Sequence, residues 1–170
     1  MRFIRFERSS VFPVEVEVLW AFHMRPDALA LLTPSWLRLE VTQAGAAVAN
    51  GSLVRFRLGR GVRLDWAALH TGVVPNVNFT DVAVAGPFPC WIHQHGFEVV
   101  GRGRARLHDV VSYVLPRWVP RLAGRLLVNL LLGRMFAWRH ARTLALVRRP
   151  PRPIRHRAVH VPRRLVTSHP

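Results

Sequence analysis

Apolar residues alternate with charged ones along three segments of this chain, residues 37–41, 54–58 and 62–68. Such alternation is typical of strands in an antiparallel sheet that buries one face and exposes the other. Further strands are predicted at residues 3–8, 76–84, 90–99 and 104–114. The chain therefore forms a sheet of about six to seven strands with one large apolar face, and another element must cover that face.

One long helix is predicted at residues 120–147, after the last strand. This segment contains no proline after Pro120 and is rich in leucine, alanine and arginine, which favours a helix. Leu122 and Leu126 lie one turn apart, so they share a stripe of the helix surface. A curved sheet wrapped on this helix would bury the apolar faces of both elements, which predicts an α+β fold.

Two short helices are predicted between the first strand and the rest of the sheet. The first, at residues 13–23, is ambiguous from the residues alone. Residues 14–18 alternate like a strand, whereas Pro13 suits a first helical position and apolar residues recur at a spacing of four. The second helix is opened by Pro26 and runs through Leu32.

An arginine- and proline-rich tail occupies residues 148–170, after an ordered domain at residues 1–147. The tail holds seven arginines, five prolines and no acidic residue, in a chain whose net charge is +16. Such a composition predicts an extended, mostly disordered arm. Two interpretations remain open: the arm binds nucleic acid or an anionic membrane through Arg148 to Arg164, or it is a solvated extension without a partner.

A cytoplasmic location is expected. The single cysteine, Cys90, cannot form an internal disulfide, which fits a reducing compartment. The first residues lack the unbroken apolar run of a signal peptide, and no stretch reaches the roughly 18 apolar residues of a membrane span.

Several short motifs resemble the core signature of a bacterial subfamily of SRPBCC (START-like) proteins. They are residues 79–81 (FTD), 86–88 (GPF), 91–97 (WIHQHGF), 109–116 (DVVSYVLP), and 22–29 (FHMRPDAL) followed by 32–34 (LTP). The resemblance covers roughly residues 3–145. It implies a helix-grip fold, a helix rather than a strand at residues 13–23, and a cavity for an apolar ligand between the sheet and the long helix.

The hairpin that joins the last two strands sets a specific pairing. If residues 101–103 form its loop, His95 lies opposite Asp109 and Trp91 lies opposite Tyr113, while His93 faces Val111. Two interpretations follow. His95 and Asp109 could form an acid/base pair with Tyr113 as a hydrogen-bond donor, as in a cyclase/dehydrase-type enzyme, or the pair could only fix the register of the hairpin. The second interpretation is favoured.

The resemblance and the strand faces together give a set of expected ligand contacts. They are Trp66, Phe79, Trp91, His93, His95, Phe97, Tyr113 and Trp118. His93 and His95 share a strand face, but a metal site would need a third ligand, and Asp109, Asp81 and His70 are equal candidates. Asp81 has two further interpretations, as a cap of the following turn or, as the family resemblance suggests, as a partner of Arg139. Because the spacing selects no third ligand, no metal site is expected.

The expected function is binding of a small apolar molecule such as a lipid, polyketide or isoprenoid. A cyclase/dehydrase-like enzyme is the alternative. No cofactor is expected, because no glycine pattern follows a strand and opens a helix as nucleotide sites require. The sequence also lacks a Gly-x-Ser-x-Gly nucleophile, and Cys90 lies in no reactive-thiol motif.

Overall fold

The computed structural model describes residues 2–43 and 47–148, so the predicted tail lies outside the described residues from residue 149 onward. The elements follow in chain order: β1 Ile4–Phe12, α1 Val16–His23, α2 Ala28–Leu31, a 3-10 turn Ser35–Leu37, β2 Glu40–Gln43, β3 Leu53–Leu58, β4 Leu64–Val74, β5 Asn78–Ala85, β6 Cys90–Gly101, β7 Arg104–Val114 and α3 Arg121–Val147.

The seven strands form one antiparallel sheet in the order β1-β7-β6-β5-β4-β3-β2. Strands β2 to β7 follow one another as a meander, and β1 pairs with β7, from Ile4 opposite Tyr113 to Phe12 opposite Ala105. The predicted α+β architecture, a single antiparallel sheet with a long C-terminal helix, is confirmed.

Residues 13–23 contain a helix, α1, and not a strand. Val16, Leu19 and Phe22 are buried and are spaced by three, which places them on one side of a helix. Val16 and Leu19 pack with Phe97 and Leu107 of the sheet in one apolar cluster. This packing against the sheet stabilises a helix here, although residues 14–18 alternate like a strand.

Several strand boundaries differ from the prediction. Strand β1, predicted to end at residue 8, continues to Phe12. The strand predicted at residues 37–41 starts later, because Leu37 ends a 3-10 turn and Arg38 adopts a left-handed φ of 49°. Strand β4 continues past its predicted end to Val74, and Asn76, with φ 61°, lies in the turn before β5. Left-handed backbone is incompatible with a strand, so both residues mark turns that alternation alone does not reveal.

Helix α3 packs on the sheet near β1 and β7. Its residues Leu132 and Phe136 are buried together with Ile4, Val111 and Tyr113 of those two strands. The rest of this helix side faces strands β3 to β6 across an interior space. None of the helices in residues 2–43 and 47–148 has the length and apolar content that crossing a bilayer requires.

Candidate functional site

A cavity of about 350 Å³ lies between the sheet and α3. Its wall is mostly apolar. The sheet contributes Val54, Phe56, Trp66, Ala68, Phe79 and Trp91, and the helix contributes Val128, Leu131, Leu132, Met135 and Phe136. The volume falls in the range of about 300–1,000 Å³ that small-molecule sites occupy.

Aromatic rings hold one side of this wall in place. Trp66 stacks on Phe56 with ring centroids 5.9 Å apart and meets Trp91 edge to face at 5.1 Å. Phe88 packs against Trp91 at 5.0 Å. Because each ring is fixed by its neighbours, this side of the cavity is formed before any ligand enters.

A polar patch interrupts the apolar wall. It consists of His70, Asp81, His93, His95 and Arg139. The pairing of strands β4, β5 and β6 brings most of it together, because both His70 and His93 lie opposite Asp81. His95 lies on the same face of β6 as His93, two residues on, and Arg139 reaches the patch from α3.

The carboxylate of Asp81 is the centre of the polar patch. Its Oδ2 lies 3.3 Å from Nε2 of His95 and 3.7 Å from Nδ1 of His93. Its Oδ1 lies 3.2 Å from Nε2 of His70, whose other ring nitrogen contacts the hydroxyl of Ser52 at 2.9 Å. Asp81 therefore contacts three imidazoles and does not form the predicted pair with Arg139.

Asp109 lies directly behind the polar patch and is only 2% exposed. Nε2 of His93 donates to its Oδ1 at 2.9 Å, and Nε2 of His140 donates to its Oδ2 at 2.7 Å. Nδ1 of His95 lies 2.7 Å from the same Oδ1, in an ionic contact that is too bent for a full hydrogen bond. The remaining nitrogen of His140 contacts the hydroxyl of Ser10 at 2.7 Å.

The polar patch, Asp109 and His140 form one buried cluster, and the charges in it stabilise one another. Burial alone would raise the pKa of Asp109, but the charge of His95 and the hydrogen bonds from His140 and His93 hold it well below its usual value. Burial opposes the charge on His95, yet the two carboxylates outweigh burial and raise its pKa. Burial and the neighbouring His95 lower the pKa of His93 to about 4, so this ring is neutral at pH 7.

Solved structures identify the architecture, although no family model and no curated protein matches this chain. The Zhui aromatase/cyclase from a Streptomyces species superposes with a TM-score of 0.72 at 12% identity, over 89% of this chain and 98% of that one. A START superfamily protein from Mycobacterium smegmatis gives a TM-score of 0.63 at 13% identity, over 84% and 96% of the two chains. The chain has a helix-grip fold.

The helix-grip fold of this chain also matches part of a larger protein. A nucleoside-diphosphate sugar epimerase from Corynebacterium glutamicum gives a TM-score of 0.60 at 25% identity over 82% of this chain. The chain spans only 28% of the length of that epimerase. A helix-grip unit can therefore form one section of a longer polypeptide, and the fold alone does not fix an activity.

The structure confirms the predicted register of the helix-grip hairpin β6–β7. His95 lies opposite Asp109, His93 opposite Val111, and Trp91 opposite Tyr113. Of the expected ligand contacts, five line the cavity: Trp66, Phe79, Trp91, His93 and His95.

The other three expected ligand contacts lie outside the cavity wall. Phe97 packs against Trp20 in the apolar cluster under α1. Tyr113 is fully buried and donates its hydroxyl to Oδ1 of Asn129 at 2.9 Å. Trp118 is 83% exposed and does not line the cavity.

The candidate catalytic residues of the alternative interpretation do not surround one ligand position. Of His95, Asp109 and Tyr113, only His95 reaches the cavity, since Asp109 is covered by imidazoles and Tyr113 is bonded to Asn129. The cluster contains another residue, His140, that sequence reasoning missed. It sits on α3, and no spacing within the sequence relates a helical histidine to a strand aspartate.

Proposed function

We propose that the protein binds a small apolar molecule, of lipid, polyketide or isoprenoid type, in the cavity between the sheet and α3. The observation that supports this most is the apolar volume of about 350 Å³ behind preformed aromatic rings. Protein interiors are normally close-packed, so a void of this size forfeits contacts unless a ligand fills it. Each Å² of ligand surface buried there contributes about 25 cal/mol.

The ligand is expected to be apolar along most of its length and polar at one group. The side chains of Arg139, His93 and His95 line the cavity and would lose hydration against a purely apolar ligand. A carboxylate, hydroxyl or carbonyl group on the ligand would replace that water. Fatty acids and oxygenated polyketides or isoprenoids fit this description better than plain hydrocarbons.

Filling the cavity tests the proposal. Ala68 lines the wall and is 6% exposed, so Ala68→Phe places a ring in the ligand volume. We expect at least tenfold weaker binding of a fatty-acid and polyketide panel, which corresponds to about 1.4 kcal/mol. The readout is quenching of tryptophan fluorescence, together with native mass spectrometry of molecules that co-purify with the wild-type protein.

A matched control separates occlusion from damage to the fold. Ala141→Phe adds the same ring to an exposed position of α3 and should bind the panel like the wild type. Equal affinity of Ala68→Phe and the wild type would refute binding at this cavity. A wild-type protein that carries no molecule and binds none of the panel would refute the proposed function.

We also propose that the protein contacts an anionic membrane surface through α3. Its first half exposes five leucines, each at least 45% exposed: Leu122, Leu126, Leu127, Leu130 and Leu131. The exposed Arg121 and Arg125 lie among them, and α3 contains no acidic residue. Apolar side chains flanked by arginines suit the boundary between headgroups and acyl chains of an anionic bilayer. Leu131 also lines the cavity, so such contact would place a bilayer beside the ligand.

Vesicle sedimentation tests the membrane contact. The full chain should bind vesicles that contain phosphatidylglycerol and not neutral phosphatidylcholine vesicles, and added salt should weaken binding. Leu126→Ser with Leu130→Ser should reduce binding at least tenfold. The control, Val84→Ser with Val99→Ser, changes sheet residues of similar exposure and should have no effect. Vesicle binding that survives loss of the two leucines would assign the membrane contact to the arginine tail and refute a role of α3. Dimers that depend on the leucines, without vesicle binding, would show that the exposed leucines of α3 bind a second copy of the chain.

A further inference from the structure

Three side chains with metal-ligating atoms converge in the polar patch. Oδ2 of Asp81 lies 3.3 Å from Nε2 of His95 and 3.7 Å from Nδ1 of His93, and the three atoms all lie within 4.8 Å of one another. Within residues 2–43 and 47–148 this is the one trio of histidine, cysteine or acidic side chains that converges in this way. All three residues line the cavity.

The hydrogen-bond partners of the two imidazoles determine where their lone pairs point. Nε2 of His93 donates to Asp109, so the neutral ring carries its lone pair on Nδ1, which faces Asp81. Nδ1 of His95 contacts the same oxygen of Asp109 at 2.7 Å, which leaves Nε2 facing Asp81. Nδ1 of His93, Oδ2 of Asp81 and Nε2 of His95 thus point toward a common position. Without a metal ion, Nε2 of His95 donates its proton to Asp81, and it would release that proton on metal binding.

Nδ1 of His93 and Oδ2 of Asp81 both carry lone pairs, so they repel each other unless a cation or a hydrogen-bond donor lies between them. A proton on Nε2 of His95 can bond to Asp81 across 3.3 Å, but it leaves Nδ1 of His93 without a donor. A divalent ion would bind all three atoms at once. Metal–nitrogen and metal–oxygen distances of about 2.0–2.2 Å at tetrahedral angles separate ligand atoms by roughly 3.3–3.6 Å. This is close to the 3.3 and 3.7 Å that separate Oδ2 of Asp81 from the two nitrogens.

We propose that Asp81, His93 and His95 bind a divalent transition-metal ion, with zinc as the best fit, and leave a fourth position open to the cavity. Two imidazoles and one carboxylate are borderline ligands that suit zinc and exclude calcium and magnesium, which prefer oxygen alone. Three protein ligands and an open position are the arrangement of zinc sites that act on a bound molecule.

The surroundings support the three ligands as a built site. Asp109 contacts the far nitrogen of both imidazoles, and His140 in turn donates to Asp109. Carboxylates placed behind histidine ligands orient the rings and increase their basicity. Nε2 of His70 also lies 3.2 Å from the second oxygen of Asp81, an ionic contact without full hydrogen-bond geometry.

The charges around the site define the class of the fourth ligand. The two carboxylates, Asp81 and Asp109, balance the charge of a divalent ion, and the guanidinium of Arg139 lies on the same patch with an additional positive charge. A metal site with excess positive charge favours an anion at its open position. The carboxylate or enolate group of a cavity ligand would supply that anion, an extension that rests on the ligand-binding function proposed above.

Metal content and titration test the site directly. The untagged full chain, stripped with a chelator, should bind one Zn²⁺ per protein by isothermal titration calorimetry. Co²⁺ in the same place should give the intense visible absorption of a tetrahedral site. Asp81→Asn, His93→Gln and His95→Gln should each weaken the stoichiometric Zn²⁺ site at least 100-fold. Asp109→Asn should weaken it about 10- to 100-fold, as loss of a partner behind the ligands does.

The control for adventitious binding is His108→Gln, an exposed histidine on the outer face of β7 that contacts Glu7. It should bind Zn²⁺ like the wild type. Every variant retains the tail histidines, so binding to the tail would persist in all of them. Zn²⁺ binding that is equal in His93→Gln and the wild type, or a Co²⁺ spectrum without tetrahedral bands, would overturn the proposal.

Failure to fold would not rescue the proposal. If the ligand variants unfold, the wild-type Co²⁺ spectrum decides alone. These experiments contain no apolar ligand, so a metal-free protein that still binds the lipid panel would refute the site and leave the proposed function intact.

Discussion

Two glycines of α3 provide a test of how this helix packs. Replacement of glycine by alanine within a helix stabilises it by about 1 kcal/mol, because alanine loses less backbone entropy. Apart from its chain neighbours and the helix backbone, a Cβ added at Gly133 would have no heavy atom within 4 Å, so Gly133→Ala should gain the full amount. With ΔTm of about 2–4 °C per kcal/mol for a chain of this size, we expect a rise of that order.

Gly124 differs because it is buried where α3 meets the preceding loop. A Cβ there would overlap Cγ1 of Val119 and lie 3.1 Å from Cδ1 of Leu115. Overpacking of this kind costs about 1–3 kcal/mol. Gly124→Ala should therefore be destabilising by as much as ~2 kcal/mol, after the gain in helix propensity is subtracted. If the side chain of Val119 rotates away, the overpacking cost and the gain in helix propensity nearly cancel, and the loss of stability is close to zero.

Urea unfolding followed by tryptophan fluorescence measures both variants against the wild type. The midpoint should rise for Gly133→Ala and fall for Gly124→Ala, with an unchanged m-value in both cases. An equal stabilisation of the two variants would show that Leu115 and Val119 do not close over the start of α3. It would refute the packing that positions this helix above the cavity.

Three further measurements address the interior. Tyr113→Phe removes the donor to Asn129 and should lower the free energy of unfolding by about 1 kcal/mol; no change in urea midpoint would refute that bond. Phe136→Ala empties a fully buried position and should cost about 3–5 kcal/mol in the same assay, whereas a loss below 1 kcal/mol would contradict its core placement. Burial lowers the pKa of His23 to about 3, so the unfolded chain takes up the proton first as pH falls from 6.5, and this residue should reduce stability by up to ~1.4 kcal/mol per pH unit. Between pH 7 and pH 5 this amounts to about 2 kcal/mol. His23→Asn, which keeps a donor for the carbonyl of Leu19, should lose that much less stability over this range, and equal losses in both proteins would refute the burial of a neutral ring.

Much of the sheet follows from local pattern. Strand β7 and the start of α3 lie within one residue of their predicted positions, because alternation and the last prolines mark them clearly. The register of β6 against β7 also follows from the sequence, since a short glycine loop leaves few ways to pair the strands. The start of β2 and the turn between β4 and β5 could not be placed, because the left-handed residues Arg38 and Asn76 leave no apolar pattern.

The candidate site was predictable only in part. Alternation places His93 and His95 on the same face of β6, and the resemblance suggests that this face meets a cavity. The third member, Asp81, was one of three equal candidates until strand pairing placed it beside His93. His140 and Arg139 reach the cluster from a helix whose rotation over the sheet is set by packing, which the sequence does not encode locally.

The order of the strands has a consequence for synthesis. Strand β1 is made before every other element of the fold, yet its partner in the sheet is β7, and Ile4 pairs with Tyr113. An emerging chain must therefore keep one apolar-faced strand unpaired while the whole meander is translated. Such long-range pairing slows folding and leaves an edge open to other chains. Conditions that slow translation should lengthen that exposure, and they should lower the yield of folded protein before they alter its stability.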